Sequence, residues 1–309
     1  MLLLLSVSLI PAMIISLSYV RSLSKARDEL SSSTREALIS RATYLLQVTV
    51  ENFGLATKRE ATIFELALKR QAIEVEARLA DAPPETYRLF MSEDYAIPAR
   101  APGDLKNTER YTRRMNGRDE PIPVSFEEQT FFVVNGVRRT TVEDDMRRLT
   151  TMPTVYRELL AIDPAATEWL YTSLACGFHS CYPGHGGYPE EYDPRVRAWY
   201  MRAEEADNVV WTLLPGVSTR RVALTASMPV KYADGTFAGV TAIDVSLAEV
   251  HRDVVLPEHW RRSATVLHVT PNLPGYEGQL AILLCRDYAE QGEQWRQTVS
   301  YTHLRAHET

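Results

Sequence analysis

A long run without proline constrains the fold of this chain more than any other feature of its sequence. No proline occurs between Lys25 and Leu79, and Gly54 is the only glycine in a segment rich in Ala, Leu, Glu, Lys and Arg. These residue types favour helix, and nothing inside the run ends one. The sequence therefore predicts a helix of ~80 Å, at 1.5 Å per residue, which we interpret as a stalk over residues 21–80.

Two sets of positions predict how this helix is used. An apolar face in the first half suits pairing with a second copy of the chain, so we expect a homodimer through the stalk. That face consists of Leu38, Ala42, Leu45, Thr49 and Phe53. In the second half we expect the helix to pack against a sheet. The less regular face there consists of Ile63, Leu66, Arg70 and Ile73.

Residues 2–20 predict a membrane anchor, because they carry no charge and a bilayer span needs about 20 apolar residues. A cleaved signal peptide is the alternative, but no basic residue precedes the run and no small-residue cleavage site follows it. Arg21, Lys25 and Arg27 follow the run and by themselves favour a cytoplasmic main body. We hypothesise that Met1 is an internal start that lacks a short basic leader, with the main body extracytoplasmic.

Composition excludes some classes of partner. The chain of 309 residues has 45% hydrophobic and 24% charged residues, which is ordinary globular composition and predicts two domains. The formal net charge of −6 provides no basic field, so we expect no nucleic acid partner. No nucleophile elbow, phosphate-binding loop or catalytic carboxylate pair is visible, so we expect neither catalysis nor a cofactor.

The remaining pattern predicts an α+β fold. The run 125–137 is rich in β-formers and ends in Asn135-Gly136, a hairpin signal. The run 142–161 predicts a helix that Pro153 breaks or kinks. Apolar or alternating runs predict strands over 167–174, 208–214, 222–230 and 240–247, with a turn at Asp234-Gly235.

The stretch Tyr182–Tyr200, YPGHGGYPEEYDPRVRAWY, predicts a ligand-facing loop. Its glycines and prolines argue against regular structure over 183–189. Asp193-Pro194 is a favourable helix start that brings Arg197 into the first turns. Asp244 lies in an apolar strand, where a carboxylate costs free energy unless it is paired. It is either exposed on the pleat or buried for a functional role, and we expect the functional role.

The cysteines leave two questions open. Cys176 and Cys181 are spaced either for a local disulfide or as two buried thiols. Together with His179 and His185 they provide ligand types that zinc prefers, although C-x2-H-x-C-x3-H is not a standard ligand spacing. A zinc-binding loop therefore stays an alternative, and no metal ligand is assigned.

Several motifs together resemble the double Cache sensor domain of bacterial transmembrane receptors. They are YDPRVRAWY at 192–200, ASMPV at 226–230, DGTFAG at 234–239 and IDVSL at 243–247. The resemblance implies a PAS-like module with an antiparallel sheet after a membrane-anchored helix. In the amino-acid-binding branch a tyrosine, Arg-x-Trp-Tyr and an aspartate hold the ligand, which assigns these roles to Tyr192, Arg197, Trp199, Tyr200 and Asp244.

We also expect four residues to line the pocket, namely Tyr171, His185, Trp211 and Ser227. A further tyrosine of that branch would fall near Pro215, where this chain has WTLLPG and no tyrosine. The predicted ligand is therefore a small carboxylate- or amine-bearing metabolite, amino acids included. The side-chain chemistry agrees with this ligand class, since guanidinium binds carboxylate bidentately and aspartate attracts ammonium.

The predicted layout follows from these motifs. It comprises a membrane span at 1–20, the stalk at 21–80, a membrane-distal Cache module at 81–253, an incomplete membrane-proximal module at 254–299 with strands near 264–269 and 279–285, and a non-native tail at 300–309. We expect a second span and a cytoplasmic phosphatase, kinase or chemotaxis output domain after Thr309. The predicted function is an extracytoplasmic sensor in the bacterial cell membrane; the alternatives are a membrane-tethered interaction module without a ligand and the zinc-binding loop.

Overall fold

The computed structural model describes residues 2–115, 118–219, 222–246, 266–269 and 280–284. Two compact units divide the chain, residues 1–59 and 60–309. The predicted long helix is confirmed as α1 (Leu2–Ala80), an α-helix of 79 residues. In the first unit, side chains such as Leu38 and Leu45 of its apolar face are exposed.

The predicted membrane anchor falls mostly on residues 1–17, whose side chains lie outside the described part of the chain. In the part of the chain that the structure describes, no helix is both long enough and apolar enough to cross a bilayer. The anchor therefore has no support from the structure and stays a prediction.

The second unit is built on a seven-stranded sheet in the order β1-β5-β7-β6-β11-β10-β9. All pairs in it are antiparallel except β1 with β5. Its strands are β1 (Phe90–Met91), β5 (Thr130–Val133), β6 (Thr167–Leu174), β7 (Phe178–Tyr182), β9 (Val210–Pro215), β10 (Val222–Lys231) and β11 (Phe237–Ser246). The strands predicted from alternation, and the turn at Asp234-Gly235 between β10 and β11, are confirmed.

Smaller elements surround this sheet. The two-stranded pairs are β2 (Thr112–Met115) with β3 (Arg118–Pro121), β4 (Val124–Ser125) with β8 (Gly184–His185), and β12 (Val266–Val269) with β13 (Leu280–Leu284). The short helices are α2 (Glu143–Arg148), α3 (Met152–Leu160) and α4 (Ala198–Glu204). The predicted break at Pro153 is confirmed, because a 3-10 turn over Leu149–Thr151 separates α2 from α3 and Pro153 lies in the first turn of the second helix.

The sheet has an apolar core on each face. One face packs against α1, α2 and α3 around residues such as Leu68, Met146, Leu170 and Ile243. The other face carries a second buried cluster that includes Trp169, Tyr171 and Trp199. Because successive side chains of a strand point to opposite faces, Ile243 and Asp244 belong to different cores.

The predicted α1 face is not the one that packs on the sheet, because the buried positions are displaced by one residue along the helix. Ile63, Leu66 and Ile73 are exposed, and the buried stripe consists of Phe64, Leu68, Ala72, Val75 and Leu79. These residues recur at helical spacing one position away from the predicted face. The prediction that this half of the helix packs is itself confirmed.

Gln71 is the buried polar residue of that stripe. Its side-chain amide nitrogen donates to the carbonyl oxygens of Tyr171 and Ala242, each at 3.2 Å, and to the hydroxyl of Thr241 at 2.7 Å. The helix is thereby hydrogen-bonded to the backbones of the two central strands, β6 and β11. The partner oxygen of the Gln71 amide is buried without a hydrogen bond.

Two turn predictions are corrected by long-range pairing. Asn135-Gly136 forms a turn with Gly136 at φ 83°, but β5 pairs with β1 and β7 rather than with the segment after the turn. The glycine-rich segment is not free of regular structure, because Gly184 and His185 pair with Ser125 and Val124 as β8. A strand from elsewhere in the chain provides partners that local sequence does not reveal.

The predicted second module lies largely outside the described residues. Its two predicted strands are found as β12 and β13, which pair antiparallel. The rest of 254–299, the end of the first module after Ser246 and the tail at 300–309 are not part of the described chain.

Candidate functional site

A cavity of about 40 Å³ lies on the sheet face opposite α1. Its volume exceeds the ~10–15 Å³ that one water molecule needs, so it has room for a small molecule of a few heavy atoms. Of the described residues, two charged ones line it, Arg197 and Asp244. Six rings form much of its wall, from Trp169, Tyr171, His179, Tyr188, Tyr192 and Trp199.

Asp244 provides the anionic end of the cavity. Its Oδ1 accepts hydrogen bonds from the Tyr171 hydroxyl at 2.7 Å and the Thr225 hydroxyl at 2.6 Å. Burial raises the pKa of Asp244 to about 6, against the opposing effects of these two donors and the Arg197 charge. Both bonds end on Oδ1, which leaves Oδ2 with acceptor capacity for a ligand.

Arg197 provides the cationic end. It occupies the position before α4, where its extended backbone ends a 3-10 turn over Pro194–Val196. Asp193 caps that turn and forms its ion pair with Arg195 at 2.8 Å, so it does not neutralise Arg197. Among the described residues no carboxylate lies within ion-pair distance of Arg197, and its Nε is buried without a hydrogen-bond partner.

Two buried histidines, His179 in the cavity wall and His185 behind it, are neutral. Burial lowers the pKa of His179 to about 3 and that of His185 to about 4. Since His185 Nδ1 lies 2.9 Å from the Gly186 carbonyl, that nitrogen carries the proton and Nε2 accepts from the Tyr188 hydroxyl at 3.0 Å. His179 joins the same hydroxyl to Ser173, at 3.3 and 2.7 Å.

The structure brings four of the five predicted ligand-binding residues to the cavity, Tyr192, Arg197, Trp199 and Asp244, together with Tyr171. Tyr200 does not line it: the side chain is buried beside Trp199, with ring centroids 5.6 Å apart. The ligand-binding role of these residues stays a prediction.

Three of the residues predicted to line the pocket lie elsewhere. Trp211 packs against the core on the α1 face and donates to Glu65 at 3.0 Å, because it occupies the opposite face of β9. Ser227 donates to the Trp199 carbonyl at 2.9 Å and so supports that residue from behind. His185 is buried behind Tyr188 and does not reach the cavity.

The disulfide and zinc alternatives are not supported. Cys176 and Cys181 are free thiols. They belong to opposite faces of the sheet, since Cys176 packs with the α1 core and Cys181 lines the cavity. Within the described part of the chain, no group of three or more His, Cys, Asp and Glu side chains is placed to hold a metal ion.

Comparison with known proteins places the chain near ligand-binding domains of chemoreceptors. The structure is similar to that of CtaA from Pseudomonas fluorescens with L-serine, at 30% identity over 26% of this chain and 34% of that chain, with a TM-score of 0.24. It is also similar to that of PctC from Pseudomonas aeruginosa with GABA, at 29% identity over 40% of this chain and 51% of that chain, with a TM-score of 0.32. CtaA with L-leucine is similar at 23% identity over 44% of this chain and 55% of that chain, with a TM-score of 0.33.

These overlaps are partial: the chain spans between 34% and 55% of the length of these solved structures. Each of these solved structures is the ligand-binding domain of a chemoreceptor. No protein-family model matches the chain, and no curated protein does.

Sequence reasoning missed several residues of the cavity. Trp169, His179, Tyr188, Ser218 and Thr225 all line it. For Thr225 a partial signal exists, because it alternates with the apolar residues of β10, but only the observed register pairs it with Asp244. Tyr188 and Ser218 lie on irregular segments whose position only the folded chain defines.

Proposed function

We propose that residues 81–253 form the membrane-distal module of an extracytoplasmic Cache-type sensor, packed on the second half of α1. Its cavity binds a small metabolite that carries a carboxylate, an amine or both. The observation that carries this proposal is Arg197, a cavity-lining cation without a carboxylate partner among the described residues, in the same cavity as the buried Asp244.

The charges of the site favour a ligand with complementary ends. A guanidinium with a buried, unpaired Nε is stabilised by a carboxylate that accepts from it. Asp244 Oδ2 is free to accept from an ammonium group, and aromatic rings around the cavity exclude water and favour a cation. Among the described residues, the histidine and tyrosine side chains of the wall are neutral.

The proposed module acts by binding, and we assign no catalysis to it. The anchor at residues 2–20 and the homodimer through the stalk belong to the same proposal. Measuring the mass of the purified chain in detergent by light scattering tests the dimer, and protease protection in membrane vesicles tests the extracytoplasmic side.

Ligand binding is tested with matched compounds that differ by one charged end, such as 4-aminobutyrate, butyrate and butylamine, beside the natural amino acids. Ligand binding stabilises the folded protein by mass action and so raises its melting temperature. The stabilisation is about 2.7 kcal/mol when the ligand concentration is one hundred times the dissociation constant. Arg197→Ala should remove the response to carboxylates, and Asp244→Asn the response to amines.

Arg202→Ala is the matched control, because Arg202 is an exposed arginine of α4. It should respond to every compound as the parent protein does. If no compound shifts the melting temperature, or if Arg197→Ala responds as the parent does, the proposed function is wrong.

A further inference from the structure

Arg113 joins two segments of the cavity wall that are far apart in sequence. It lies on β2, outside the large sheet, and does not itself line the cavity. Its Nε donates to the Ser218 carbonyl at 2.8 Å and its Nη2 to the Gly187 carbonyl at 3.1 Å. A guanidinium presents its donors in a fixed planar fork, so the two carbonyls are held at one separation.

Both carbonyls belong to segments that close the cavity. Ser218 lines the cavity with Gly216 and Val217, in the irregular segment after β9. Gly187 immediately precedes Tyr188, which lines the cavity from the other segment. The spacing of these two carbonyls therefore determines how far Tyr188 and residues 216–218 stand apart.

The local geometry at Gly187 is built around this contact. Gly187 has φ 82°, a conformation that favours glycine, and a Cβ there would lie 3.1 Å from Arg113 Nη2. A side chain at this position would press on the guanidinium. The close approach of Arg113 to the wall thus depends on the glycine.

A second contact joins the same two segments from inside the protein. The Ser218 hydroxyl lies 3.2 Å from His185 Nε2, and the Tyr188 hydroxyl lies 3.0 Å from the same atom. His185 fixes the inner ends of the wall while Arg113 fixes its outer backbone.

We infer that Arg113 is a positioning residue that sets the width of the cavity, and that it restricts the site to ligands with small side chains. The inference rests on the proposed function for the nature of the ligand. The width of the cavity itself is measurable without any ligand. Losing the two charged hydrogen bonds should widen the site preferentially for larger molecules.

The test uses Cys181, whose thiol lines the cavity. In the full chain carrying Cys176→Ser and Cys285→Ser, Cys181 is the only remaining cysteine, since the sequence has three. Its rates of reaction with methyl and benzyl methanethiosulfonate are measured at one pH, so that thiol ionisation cancels from their ratio. We expect the parent to react much faster with the methyl reagent.

Arg113→Ala should lower this methyl-to-benzyl ratio about tenfold, the order expected from losing hydrogen bonds made by a charged donor. Arg113→Lys should lower it as well, because one ammonium cannot bond both carbonyls in the same way, and it serves if the alanine variant does not fold. Arg118→Ala, on the exposed neighbouring strand β3, should leave the ratio unchanged. An unchanged ratio in both Arg113 variants, or an equal rise of both rates, would overturn the inference.

A second arm compares affinities for alanine, norvaline, leucine and phenylalanine by calorimetry. Arg113→Ala should improve the larger ligands relative to alanine, whereas a merely structural role would weaken all four alike. If the parent binds none of these four and none of the compounds of the melting-temperature test, the proposed function fails, and the labelling ratio still decides the role of Arg113.

Discussion

The Tyr171 hydroxyl donates to Asp244 Oδ1 over 2.7 Å, and both residues are buried on neighbouring central strands. Burial next to this carboxylate raises the pKa of Tyr171 well above its usual range, so the phenol keeps its proton and remains a donor. The bond orients Asp244, but it does not remove the free energy of burying a charge. The cavity therefore holds its carboxylate at the expense of stability.

Asp244→Asn should stabilise the ligand-free protein at neutral pH. The raised pKa of about 6, against an ordinary 3.8, means that the folded state binds this proton more tightly than the unfolded chain. Its contribution to stability is complete below pH 3.8 and is lost as pH rises through about 6. Denaturant unfolding should show the variant more stable by roughly 2–3 kcal/mol at pH 7.5 and equal to the parent near pH 3.5. A loss of stability at pH 7.5 would contradict the burial argument.

Affinity for an amine-bearing ligand should decrease in acid. Protonation of Asp244 removes the charge that attracts ammonium, so affinity should be constant above the pKa of about 6 and decline below it. The decline approaches about tenfold per pH unit well below that value. Calorimetry between pH 5 and 8 measures it, with a carboxylate lacking the amine as the control. Equal pH profiles for both compounds would show that Asp244 does not contact the amine.

Gly184→Ala should destabilise the protein although its backbone is not left-handed. A Cβ there would lie 2.6 Å from the Glu128 carbonyl oxygen and 2.0 Å from the Tyr95 hydroxyl, too close for either to remain in place. Overpacking of this kind costs about 1–3 kcal/mol. Gly103→Ala is the matched control, since no atom lies within 4 Å of its added carbon. Chemical unfolding of both variants compares them, and equal stabilities would contradict the packing described around β8.

Gln71→Met should destabilise the packed half of α1 while keeping the side-chain volume. The substitution removes the amide donor from the Thr241 hydroxyl and from the Tyr171 and Ala242 carbonyls, although the Tyr171 carbonyl keeps a hydrogen bond from that hydroxyl. A lost intramolecular hydrogen bond costs about 0.5–1.5 kcal/mol. Lys69→Met, at an exposed position of the same helix, should change stability by less than about 0.5 kcal/mol. If both variants have the same free energy of unfolding as the parent, the amide of Gln71 makes no net contribution to stability.

Local patterns predicted the elements and part of the cavity. Composition predicts the long helix and the break at Pro153, because these depend on local residue preferences. Alternation predicts strands β6, β9, β10 and β11, because each turns one face toward the core. Tyr192, Arg197, Trp199 and Asp244 could be named because the motif resemblance singled them out. Their common cavity is a property of the fold.

What the sequence could not predict depends on register and on long-range pairing. A bulge between Val230 and Lys231 shifts the β10–β11 pairing by one residue. Counting from the turn alone would place Thr225 opposite Ile243, whereas the structure pairs it with Asp244. Trp211 was assigned to the wrong face for a related reason, because a single strand does not reveal which of its faces lines the cavity.

The register of β11 also bears on how faithfully the chain folds. Thr225, Asp244 and Trp169 stand side by side on three paired strands, and Ile243 points into the core under α1. A slip of one residue would exchange the two faces, sending the carboxylate into that apolar core and the isoleucine into the cavity. Because an unpaired carboxylate is strongly disfavoured there, Asp244 destabilises the shifted register even without a ligand and so favours the native pairing.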